Sequence, residues 1–212
     1  MKIVSLIITS VFIFSCSDSN ISKKSDNQSL LDSVAERKEA DESIKLDNVG
    51  DIQKEFYKVQ SNIDKRQLDS AGFKYECNER VGDVSYYYEG KDLKMIRFST
   101  ADSHFSSEQY YYINTGKLYF VYIKETLWSF ESVTDDKPET KDEIREKRFY
   151  IIDGKPIRCL EKKYTIRSSS VNNPHPDYIK NTEMKNCSSA EVENQLEVLM
   201  KYRNKRTKQN CL

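Results

Sequence analysis

Glycine, proline, histidine and tryptophan are all scarce in this 212-residue chain, with six, four, two and one respectively. Six scattered glycines form no phosphate-cradling loop. There is also no G-x-S-x-G elbow and no H-E-x-x-H helix. Charge of one sign is missing as well: 34 Lys and Arg balance 34 Asp and Glu. A global basic field for nucleic acid is therefore absent. The one long apolar run, residues 3–14, is about 12 residues, short of the ~20 that span a bilayer. With a mean hydropathy of −0.76, a polytopic membrane protein is excluded. What the chain does hold is aromatic surface, 14 Tyr and 9 Phe, enough to fill a core and to exclude a wholly disordered polymer.

The apolar run follows Lys2, as in a secretory leader, and ends Ile13-Phe14-Ser15-Cys16. This ending resembles the lipobox of bacterial lipoproteins. The resemblance implies cleavage after residue 15 and acylation of Cys16, hence membrane attachment in the cell envelope, facing the periplasm or the surface. Two or three acyl chains are needed for a stable hold, because each buried methylene contributes about 0.8 kcal/mol and one chain is marginal. Removing residues 1–15 takes away only Lys2 and leaves 33 cationic against 34 anionic groups. Residues 16–45 are rich in Ser, Asp, Asn, Lys and Glu and carry no ring. Such composition buries too little apolar area to offset chain ordering, and the segment reads as a lipidated tether.

A single α+β domain is expected over 46–206, with 207–212 as a tail. Val49, Ile52, Phe56, Val59 and Ile63 recur at helical steps, predicting a helix near 50–68 capped by Asn48 or Asp51, with Gly72 just past its end. A second helix is expected near 189–203. Ser188 and Glu191 have capping-box spacing, and Val192, Leu196, Leu199 and Met200 form its stripe. Lys201, Arg203, Lys205, Arg206 and Lys208 suit its C-terminus through the dipole; the basic tail reads as a solvated end, with contact to anionic lipid or lipopolysaccharide as the alternative.

Between the helices one pattern recurs: an aromatic strand, a turn with Gly then Lys, and a return strand. It occurs at Tyr86-Tyr87-Tyr88-Glu89-Gly90-Lys91, at Tyr110-Tyr111-Tyr112-Ile113-Asn114-Thr115-Gly116-Lys117, and at Phe149-Tyr150-Ile151-Ile152-Asp153-Gly154-Lys155. Asp153-Gly154 is a tight-hairpin pair, while Asn114-Thr115-Gly116 suits a slightly longer turn. Return strands at 93–98, 118–130 and 157–166, and an earlier strand at 73–77, make about seven strands in an antiparallel meander. The segment 131–142 reads as a loop. Together, 82–98, 108–124 and 147–159 resemble small envelope lipoproteins of unassigned function with a YYY-x-x-G-K-L hairpin repeat. That resemblance is structural and assigns no functional residues.

In Tyr119-Phe120-Val121-Tyr122-Ile123 both strand faces are apolar or aromatic. Either both faces are covered, or one displays tyrosines to a partner; the candidate binding face is Tyr86, Tyr88, Tyr110, Tyr112, Tyr119 and Tyr122. Cys77, Cys159, Cys187 and Cys211 are candidates for two disulfides with three connectivities. Cys159–Cys187, joining a late strand to the last helix, is favoured, with Cys77–Cys211 the remainder. No CxxC, metal set or cofactor motif is present, and His104 and His175 lie in expected loops. The function expected is non-catalytic binding or inhibition of an envelope protein or ligand. An envelope assembly factor is the alternative, and a hydrolase would need a carboxylate pair that nothing nominates.

Overall fold

The computed structural model describes residues 45–134, 137–204 and 212, with side chains 132–137 excepted. The expected leader, Cys16, most of the tether and Cys211 lie outside them. The first helix, α1, spans Val49–Asp64. Asn48 is its cap, Oδ1 accepting from the Asp51 amide at 3.1 Å. It ends before Gly72: Arg66 takes a φ of 57°, and the Gln67 amide reaches back to the Asn62 carbonyl at 2.8 Å. Reversing the chain here therefore falls to an arginine in the left-handed region. Gly72 instead lies within a strand, where a Cβ would come 2.2 Å from the Val84 carbonyl oxygen.

Eight antiparallel strands follow in chain order: β1 Asp69–Cys77, β2 Arg80–Glu89, β3 Asp92–Ala101, β4 Phe105–Asn114, β5 Lys117–Thr134, β6 Lys137–Ile152, β7 Lys155–Arg167 and β8 Thr182–Glu183. The helix α2, Ala190–Tyr202, closes the domain. The α+β meander is thus as expected, with eight strands rather than about seven. The additional one is β8, two residues paired with Leu160 and Glu161, too short to show any period in sequence. Two further expectations are corrected. Residues 131–142 are mostly strand, since Ser132, Val133 and Thr134 pair with Glu139, Pro138 and Lys137. Pro138 is tolerated because β6 meets β7 only from Lys141 onward, leaving one side of the strand there without a ladder. Thr115 and Gly116, with φ of 47° and 78°, form a two-residue turn between paired Asn114 and Lys117, shorter than expected. Asp153 and Gly154 make the same tight turn at φ of 47° and 73°.

Successive strand residues point to opposite faces, and the two faces bury separate clusters. On one, Tyr86, Ile96, Tyr111, Val121 and Ile151 pack with Val192 and Leu199 of α2. On the other, Met95, Tyr112, Phe120 and Tyr150 pack with Ile52 and Val59 of α1, and Tyr119 joins them because the β4–β5 register shifts beside it. This explains the doubly apolar run at 119–123: each face there has its own helix. Within α2, Met200 is exposed rather than part of the stripe. The Ser188 box does not close either; Ser189 is the cap residue and makes no side-chain cap bond. The Cys159–Cys187 disulfide is present, with Cα atoms 5.3 Å apart. Cys77 is also disulfide-bonded.

Candidate functional site

The six expected tyrosines do not share a face. Tyr86 and Tyr88 belong to the α2 face, whereas Tyr110, Tyr112, Tyr119 and Tyr122 belong to the α1 face. Tyr86 is 1% exposed and works as a strut, its hydroxyl donating to the Leu199 carbonyl at 2.7 Å. Tyr88 is half-buried under Arg203, whose Nε donates to the hydroxyl at 3.1 Å. Tyr112 and Tyr119 are each 2% exposed beneath α1. Tyr112 donates to Gln60 at 3.3 Å, while the Tyr119 hydroxyl has no hydrogen-bond partner among the described residues. Only Tyr110 and Tyr122, half-buried with ring centroids 5.9 Å apart, stand at the margin of the helix-covered area.

At that margin a groove has aromatic walls and one formal charge. Opposite each other across β5 and β6 lie Phe120 and Tyr150, then Tyr122 and Arg148, then Lys124 and Glu146. Phe56 of α1 sits edge-on to Phe120 at 5.3 Å and to Tyr112 at 5.0 Å. Along the flank of α1 a groove of about 360 Å³ opens between helix and sheet. Its walls are Phe56, Tyr57, Phe120, Tyr122 and Tyr150; Gln53 and Asn181 add amides, and Arg148 is the one formal charge lining it.

Arg148 is held on three sides. Its Nη2 donates to Glu146 Oε2 at 2.7 Å, and its Nη1 to Asn181 Oδ1 at 2.9 Å. Its guanidinium carbon lies 4.9 Å from the Tyr122 ring centroid, a cation–π distance. Behind it, Glu146 also accepts from the Tyr164 hydroxyl at 2.9 Å and pairs with Lys162 Nζ at 3.3 Å. Lys162 in turn donates to the Pro176 carbonyl at 2.9 Å. Burial pushes the Glu146 carboxyl up, but the hydrogen bonds from Arg148 and Tyr164, with the Lys162 and Arg148 charges, hold it below the usual range. Burial, then the neighbouring Glu146, push Tyr164 up to about 12, and burial also raises Tyr122. Both hydroxyls are therefore protonated donors at neutral pH. Arg148 and Lys162 thus both pair with Glu146, Lys124 faces it across the strand pair, and of these charges only that of Arg148 lines the groove.

Arg148, Glu146, Lys162 and Asn181 were not among the expected site residues. For Glu146 and Arg148 the signal in sequence is the even-numbered alternation Ile144, Glu146, Arg148, Tyr150 along a strand whose partner is aromatic. Asn181 comes from the connection between β7 and β8 and carries no sequence signal. Neither His104, beside Trp128 with ring centroids 4.5 Å apart, nor His175, which faces Asp177 at 3.7 Å, lines this groove. Among the described residues no group of three His, Cys, Asp or Glu is placed to hold a metal, and no helix is long and apolar enough to cross a membrane. Set beside known proteins, the chain matches no family model, no curated protein and no solved structure.

Proposed function

We propose that this is a lipid-anchored, non-catalytic binding module of the bacterial envelope, with the groove beside α1 as its recognition surface. The observation that carries the recognition half is Arg148. A guanidinium fixed by a carboxylate, an amide and a ring pays little ordering entropy when it meets a ligand. Rings around it add contact area at low rotamer cost. The anchoring half rests on the Ile13-Phe14-Ser15-Cys16 lipobox resemblance and the ring-free stretch that follows it. In this reading acyl chains on Cys16 hold the protein at a membrane while the groove captures an envelope protein or small ligand.

Each half has its own test. Cys16→Ala is expected to move the protein from the membrane to the soluble fraction; unchanged partitioning removes the anchor. For the groove, a photoreactive residue replaces Tyr57, which is 66% exposed, and crosslinking is done in intact cells. Mass spectrometry is expected to recover a species from Tyr57 that the same probe at Lys91, on the β2–β3 turn, does not. Identical products from the two positions would remove the groove as the recognition surface.

A further inference from the structure

We infer that the groove takes a singly charged carboxylate carried on an apolar or aromatic body, with Arg148 as the group that selects it. The inference rests on the binding-module reading and adds the ligand chemistry. A guanidinium has five N–H donors. Arg148 uses one to Glu146 and one to Asn181, which leaves three without a protein acceptor among the described residues. Its side chain is 20% exposed, so these donors are partly removed from water, and the residue lines a space the protein does not fill. A ligand without an acceptor would strip the remaining water and leave them dry, a cost that disfavours purely apolar occupants.

The charge count narrows the class further. Glu146 is shared by Arg148 at 2.7 Å and Lys162 at 3.3 Å through the same Oε2. The excess charge on the groove wall is thus single, that of the Arg148 guanidinium, with a carboxylate directly behind it. A monoanion neutralises that excess, whereas a phosphate dianion would overshoot it and be repelled by Glu146. Tyr122 and Tyr164 stay protonated and add no charge. Glu55 of α1 is buried beside Tyr119 and does not line the groove. The space, about 360 Å³, lies at the small end of ligand sites and suits one ring with its acid group. A free organic acid and the C-terminus of a peptide share this chemistry.

Calorimetric titration of the full-length protein tests it, using N-acetylphenylalanine against its neutral amide. The acid is expected to bind about tenfold tighter than the amide, the size of one charge-assisted pair. Arg148→Met should erase the preference, and Arg148→Lys should restore part of it, since the ammonium keeps the charge but not the planar fork. Should Arg148→Met fail to fold, Tyr57→Ala is the second variant: at a largely exposed position it leaves melting unchanged and weakens the acid about threefold. A pentapeptide ending in a free phenylalanine sets the source, because binding well above that of the single residue names a chain end, and equal binding names a small acid. Equal affinity for acid and amide, tighter binding of phenyl phosphate, or a preference that survives Arg148→Met overturns the carboxylate while leaving the groove as a binding surface. If no probe binds, this inference is overturned; if the Tyr57 crosslink also matches the Lys91 control, the binding-module reading falls with it.

Discussion

Strands β5 and β6 are continuous ribbons with two unlike ends. Near their turns with β4 and β7, Tyr119, Phe120, Tyr150 and Ile151 are buried, each face roofed by its own helix. Toward their shared hairpin the same strands carry ion pairs: Lys147 to Glu125 at 3.0 Å, Lys141 to Glu143 at 3.0 Å, and, across to β7, Arg145 to Glu161 at 2.9 Å. Leu127 and Phe130 are exposed there. Backbone ladders hold both ends, so the difference lies in what the side chains meet. Stability is concentrated where α1 and α2 dock, and the candidate site occupies the border, where Tyr122 and Arg148 have a hydrophobic neighbour on one side and a charged one on the other.

Tyr86→Ala, at the roofed end, should have the largest effect. It empties a core position and severs the strut to Leu199, at a cost of about 3–5 kcal/mol by urea denaturation. Lys124→Ala, on the same sheet at the charged end, should stay within about 0.5 kcal/mol. Similar losses at the two positions would break the contrast. Replacing Cys159 and Cys187 by Ala removes a link spanning 28 residues and should lower stability by about 2–4 kcal/mol in the same titration.

At the border, Tyr164→Phe removes a donor from a buried carboxylate and should cost about 1–2 kcal/mol, read as a shift in the urea midpoint. Glu146 also makes this region respond to acid. Its folded carboxyl titrates below its unfolded value of about 4.3, so its contribution is present above that pH and fades as pH falls through the lower, folded value. Glu146→Gln should therefore differ most from the parent above pH ~5, with the gap closing in acid; a constant gap from neutral to acid pH would contradict the pairing. Lys117→Ala should have the smallest effect. Its partner Asp153, held below the usual range by the Lys117 hydrogen bond, is on the open surface, and the melting temperature should not move.

Much of the architecture was legible because local chemistry demanded it. Asp153-Gly154 permits little but a tight turn, and the stripe from Val49 to Ile63 marks the buried side of α1. Cys159–Cys187 followed from placing one cysteine on a late strand and the other before α2. Less was legible where a residue answers to a distant neighbour. Gly72 reads as a helix stop, yet its role is to let the Val84 carbonyl pass. The tyrosine triplets read as one display face, yet alternation sends Tyr86 and Tyr112 to opposite helices. The site was the least visible part: Arg148 is an ordinary charged position until Asn181, 33 residues on, folds back against it.

Because every strand pairs with its immediate successor, no closure over a long stretch of chain is required to build the sheet. From β1 to β7 assembly can zip forward one hairpin at a time, each step closing only a short loop. The first and last strands are never brought together, so a hairpin can be lengthened without disturbing the order of the rest. The overlong β5–β6 pair is such an extension, and the groove sits at its root, where added length first outruns the helices.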